Sequence, residues 1–265
     1  MKSKLSICVL LFLVSLGLSA QDKQETPIFK TTGKYQKVGY SSWTEYCEDK
    51  SFLMQEKTIL FTVGKEGVIP SVKLMGIPLD WFVEATAGAT YYNGSEILTN
   101  IPKKAIDAYA GVRGEIISHI PIAKNNHYSF GTMFRIGNAV FAKTAGPEIW
   151  NELYVKAGVE GTLHFQNSKL FMNAGIVQPI LVVNHGLHLN ISFTDGVYLP
   201  HGHTSAFGEI GLVTNGHKVS IAYDSMNLGS SPTVKSHEIG GSRIIEFAQP
   251  DTRSYTVSLK FSTRF

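Results

Sequence analysis

Cysteine is almost missing from this chain, which holds only Cys8 and Cys47. Cys8 lies in the first, strongly apolar stretch, so a processed chain would keep Cys47 alone, and an intramolecular disulfide is excluded even in an oxidising compartment. An excess of one charge is missing too. The formal net charge is +3, and removing Lys2 and Lys4 from the 24 basic residues leaves 22 against 21 acidic ones. That balance carries no electrostatic footprint for nucleic acid. Beyond residue 18 there is no apolar run long enough for a spanning helix, for which roughly 18 or more residues are needed.

The one long apolar run reads as an export signal. Lys2 and Lys4 form a positive start, Leu5 to Leu18 an apolar stretch, and the small residues Ser19 and Ala20 precede Gln21. This predicts cleavage between Ala20 and Gln21. The run is short for a membrane anchor, and no cysteine stands at the junction to accept a lipid. The expected organisation is a signal peptide over 1–20, a short periplasmic segment over 21–33 and one β-barrel over 34–265.

What the chain has in abundance is alternation with a period of two. In the closing segment Tyr255, Val257, Leu259, Phe261 and Phe265 fall on one side, broken only by Thr263. Thr256, Ser258, Lys260, Ser262 and Arg264 fall on the other. Successive strand side chains point to opposite faces, so this predicts a strand apolar on one face and polar on the other.

That ending resembles the assembly signal of small bacterial outer-membrane β-barrel proteins, carried here by Tyr255, Val257, Leu259, Phe261 and Phe265. The resemblance implies a location in the outer membrane of a Gram-negative cell envelope and recognition by the barrel-insertion machinery. It also implies escort by periplasmic chaperones and contact with lipopolysaccharide and phospholipid.

Strands are expected near 34–46, 57–75, 81–94, 106–122, 127–142, 152–165, 169–184, 204–213, 217–228 and 252–265. In barrels of the resembled kind both termini are periplasmic, so connections alternate between short inner turns and longer outer loops. The segments Gly76–Asp80, Lys124–Asn126, Gln166–Ser168 and Thr214–Gly216 fit the turns, and 47–56, 95–105, 143–151, 185–203 and 229–251 fit the loops. The expected fold is therefore an all-β, antiparallel up-and-down transmembrane barrel of about ten strands. Eight or twelve also fit, because Gly64, Gly67 and Pro70 interrupt 57–75.

The two faces differ in chemistry. Leu153, Val155, Ala157, Val159, Leu163 and Phe165 are expected outside, as are Leu170, Met172, Ala174, Ile176, Ile180 and Val182, with Gln178 an exception. Trp81, Tyr91, Tyr128 and Tyr255 fall toward strand ends, where interfacial aromatics belong. The inner face is expected to carry Glu84, Arg113, Glu115, Arg135, Lys156, Glu160, Glu209, Lys218, Asp224, Lys260 and Arg264. Six cations against five carboxylates in a lumen little wider than its side chains predict mutual neutralisation and a filled interior.

No catalytic motif stands out. His185, His188, His201 and His203 gather around 185–203, but only Asp195 accompanies them, and solvated loop histidines are the simpler reading. His203-Thr204-Ser205 has the His-x-Ser spacing that resembles outer-membrane lipid hydrolases. Ala206 stands where that pattern has Asn, and the parity of Glu209 turns the pair toward the lumen rather than the bilayer. Asp107 near one rim matches no motif. Asn93-Gly94-Ser95 and Asn190-Ile191-Ser192 have the glycosylation spacing, but the first reads as a turn and the second as chance. No catalytic residue, metal site or cofactor is expected. The expected role is structural or surface-binding, with a narrow porin second and a lipid-modifying or proteolytic enzyme third.

Overall fold

The computed structural model describes residues 33–47, 49–74, 77–95, 102–144, 148–186, 196–239 and 241–263. The signal segment with Ala20 and Gln21, and Arg264 and Phe265, lie outside the described residues. So do His188, Asn190–Ser192 and Asp195.

The described residues form fourteen strands in chain order. Ten make the barrel wall: β1 (Gly33–Tyr46), β2 (Phe52–Leu74), β3 (Ile77–Ser95), β4 (Pro102–Lys124), β5 (Tyr128–Lys143), β6 (Glu148–His164), β7 (Ser168–Gly186), β10 (Ser205–Thr214), β11 (His217–Gly229) and β14 (Asp251–Thr263). Each pairs antiparallel with its successor around the ring, and β14 pairs with β1 from Lys34↔Thr263 to Tyr46↔Asp251. That last ladder closes the sheet and removes its edges, so the wall strands satisfy their backbone groups against one another, as lipid requires.

Four short strands decorate one rim. β8 (Gly196–Tyr198) pairs with β7, β9 (His201–His203) with β11, and β12 (Val234–His237) with β13 (Ile244–Phe247) as a separate hairpin. Among the described residues, the connections at the opposite rim are tight turns. The β10–β11 turn is Asn215-Gly216, both with positive φ (48° and 82°), the pair of angles that lets a two-residue hairpin follow the twist of its strands.

The period of two survives in three dimensions. Tyr255, Val257, Leu259 and Phe261 are 40–45% exposed on the outer surface, whereas Lys260 and Ser262 between and beside them are buried in the lumen. The outer surface carries Phe61, Val83, Val112, Ile136, Val159, Met172, Ile210 and Ile221, all exposed. Such an apolar exterior around a polar interior inverts a water-soluble protein and matches a barrel embedded in lipid. This is a transmembrane β-barrel. Tyr40, Tyr223 and Tyr255 form a chain of neighbouring rings on that surface, with centroids 6.4 and 6.5 Å apart.

Two expectations need correcting, while the single strand expected over 57–75 is present. Strands run further than the alternation suggested, so 52–56, 102–105 and 148–151 are wall rather than loop, as are 77–80. Residues 52–74 form one strand, its register irregular between Ile69 and Lys73. Val182, expected outside, is only 3% exposed and points into the lumen. Leu153 pairs with Leu181 but Tyr154 with Pro179, which leaves Ile180 without a partner. This bulge inverts the parity of β7 above it.

Candidate functional site

The candidate site is the lumen, whose polar side chains lie in three layers. The middle layer is one continuous chain of ion pairs. Glu84 on β3 accepts from Lys37 Nζ at 2.5 Å, Tyr35 Oη at 2.8 Å and Arg113 Nη2 at 2.7 Å. Arg113 on β4 also reaches Asp224 Oδ2 at 2.9 Å, and Lys156 on β6 meets the same oxygen at 2.6 Å. Lys156 continues to Glu115 at 3.2 Å, which takes Arg135 at 3.3 Å and the Tyr154 hydroxyl at 2.8 Å.

Topology gives the Arg113–Asp224 pair its weight. In the ring of ten wall strands, β4 and β11 are separated by the same number of steps in either direction, so this bridge spans the barrel's diameter. Charges removed from water need partners, and here each cation of the layer has at least one carboxylate.

Toward the rim of tight turns lies the second layer. Lys260 pairs with Glu66 at 2.6 Å and sits 4.0 Å from the Tyr35 ring centroid. Lys218 pairs with Glu209 at 3.1 Å, and Ser220 donates to the same carboxylate at 2.6 Å. His119 is held between Glu160 at 2.8 Å and Asp80 at 3.2 Å.

The third layer narrows the opposite mouth. Lys143 pairs with Glu56 at 3.0 Å and rests 3.6 Å from the centroid of Trp43, whose indole N–H donates to Glu45 at 2.9 Å. Trp43, Trp150 and Phe141 pack together, with Trp43 and Trp150 edge-on at 4.9 Å. Above them Gln249, only 4% exposed, donates to Glu45 at 2.9 Å and accepts from Asn184 at 2.6 Å. The segment before β14 is thereby tied across the mouth.

Of the inward charges expected from the sequence, Glu84, Arg113, Glu115, Arg135, Lys156 and Asp224 meet in the middle layer. Glu160, Glu209, Lys218 and Lys260 stand in the second, and Arg264 lies outside the described residues. Sequence reasoning missed Lys37, Glu66, Asp80 and His119, although their parity with Tyr35, Thr62, Glu84 and Arg113 would have placed them inside. It also missed Glu45, Glu56, Lys143, Glu148 and Glu152 at the mouth. Counting these, the described lumen holds seven lysines and arginines against eleven carboxylates, and the expected balance gives way to an acidic surplus concentrated at the mouth.

Among the described residues the histidine group does not assemble. His185, His201 and His203 are exposed on β7 and β9. His203 and Ser205 do not share a face either. The strand breaks at Thr204, so His203 belongs to β9 beside β11 while Ser205 opens β10 and is buried. Asp107 accepts a hydrogen bond from Thr144 at 3.0 Å in an exposed setting.

No protein-family model matches the chain, and no curated protein matches it in sequence. Among solved structures it is similar to the outer membrane protease OmpT from Escherichia coli, at 9% identity and a TM-score of 0.46, covering 92% of this chain and 99% of that one. It is similar to the transport unit of the autotransporter AIDA-I from Escherichia coli at 10% identity and a TM-score of 0.42, covering 96% of each chain. The COG4313 outer membrane channel from Pseudomonas putida F1 follows at 8% identity and 0.37, covering 93% and 100%.

Proposed function

We propose that this barrel resides in a bacterial outer membrane as a non-catalytic structural or binding protein whose lumen is closed to free ion flow. The observation that carries the reading is the Arg113–Asp224 bridge across the diameter, extended on both sides by Lys37–Glu84 and Lys156–Glu115. A pore needs a continuous column of water, and this layer crosses it with charges locked at hydrogen-bond distance. Gln249 and the Trp43–Trp150 pair narrow the mouth above it. On this reading the longer loops supply the contacts, because loops held on a rigid scaffold are where binding surfaces concentrate.

Single-channel recording in planar bilayers tests it. The folded chain should leave the membrane at its baseline conductance, whereas Arg113→Ala combined with Asp224→Ala should produce discrete current steps. Sustained steps from the unmodified protein would overturn the closed-lumen reading.

A further inference from the structure

The lumen is filled with pairs, yet it is not solid. A cavity of about 300 Å³ remains inside, running from Trp43, Tyr109 and Phe141 on the mouth side past Arg113 and Asp224 to His119 and Lys218 on the turn side. Glu152 on β6 lines it. This residue is 8% exposed, and its Oε1 is fully buried with no hydrogen-bond partner.

Glu152 stands apart from the other inward carboxylates among the described residues. Glu56 and Glu148 face Lys143, Glu66 faces Lys260, Asp80 and Glu160 face His119, and Glu45 accepts from Trp43 and Gln249. No such group is bonded to the Glu152 carboxyl. The neighbouring cations are already engaged, Arg113 by Glu84 and Asp224 and Lys156 by Asp224 and Glu115. A carboxylate taken out of water without a partner is costly, so the site is built for a cation the chain does not itself supply.

The walls narrow the choice. Tyr109 and Phe141 stack at 5.5 Å, and Phe141 meets Trp43 edge-on at 6.0 Å. A hard metal ion takes six or more oxygen ligands, and the other carboxylates lining the cavity, such as Glu84, Asp224, Glu66 and Glu209, are already held by lysines and arginines. Aromatic faces beside a lone carboxylate suit an ammonium group carrying an apolar body, through cation–π attraction and burial of the body.

We propose that this cavity binds a small organic ammonium ion with an aromatic or branched apolar body, its charge on Glu152 and its body against Tyr109, Phe141 and Trp43. The site is separate from the closed-lumen reading, since a carboxylate and aromatic rings in the lumen wall bind whether or not the barrel conducts.

Calorimetric titration of the full chain, folded in detergent, with phenethylamine and with its neutral counterpart 2-phenylethanol tests the proposal. Phenethylamine should bind saturably, at least about tenfold more tightly than the alcohol. In Glu152→Gln the difference should vanish while the boiled and unboiled protein still migrate differently in a detergent gel. Equal binding of amine and alcohol by the unmodified protein would overturn the proposal, and that comparison needs no variant. A preference for the amine that survives Glu152→Gln would overturn it as well.

Discussion

Lys143 shows how one inward side chain couples chemistry to stability. Its ammonium sits over the Trp43 ring and against the Glu56 carboxylate, and both charged side chains are almost completely shielded from water. Replacing Lys143 by Met keeps the stem but strands Glu56, and Glu148 with it, in a dry aromatic setting. Leaving one half of a buried pair costs roughly 3–5 kcal/mol, whereas removing both halves is close to neutral. Lys143→Met should therefore lower the free energy of unfolding in lipid vesicles by about 3–5 kcal/mol. Lys143→Met combined with Glu56→Gln should recover most of that loss. If the double variant is no more stable than the single one, the pair is not what shields these charges, and the aromatic cluster alone organises the mouth.

The strand is the scale at which the sequence was most readable, and its failures are informative. From β5 to β6 the alternation placed strand bodies within a few residues, because each lipid-facing position must be apolar and each lumen-facing one can be polar. Contrast of that kind exists only at membrane depth. Where β2, β5 and β6 rise beyond it, both faces meet polar surroundings and the alternation fades, which is why Glu56, Lys143 and Glu148 were hidden in segments read as loops. Val182 was misplaced for a different reason. A bulge shifts parity through backbone pairing, and nothing in Pro179-Ile180-Leu181 marks which residue will be left over. Its effect can be measured. Deleting Ile180 should restore an unbroken register with β6 while Val182 stays opposite Glu152, so Val182 and Asn184 keep facing the lumen and the Asn184–Gln249 hydrogen bond survives. The expected result is a retained heat-shift in gel mobility with unchanged tryptic cleavage at the exposed Arg243 between β12 and β13. Faster cleavage would mean that the bulge itself is needed to hold Asn184 against Gln249.

At the scale of the whole barrel, the asymmetry between its rims sets its direction in the membrane. One rim carries tight turns such as Asn215-Gly216 and the ends of β1 and β14; the other carries β8, β9, the β12–β13 hairpin and the Gln249 closure. Closed barrels insert with their termini and short turns trailing, so the turn rim should face the periplasm and the decorated rim the exterior. In a Cys47→Ser background, Ser242→Cys beside the β12–β13 hairpin should react with a membrane-impermeant maleimide on intact cells. Asn167→Cys in the β6–β7 turn should react only after the outer membrane is opened. The reverse pattern would place the acidic mouth toward the periplasm, and the Glu152 cavity would then sample periplasmic rather than external solutes. Labelling of neither site in opened cells would argue against an exposed loop at either rim. The direction therefore decides which compartment's ammonium compounds this lumen can meet, and it follows from where the wall is plain and where it is built upon.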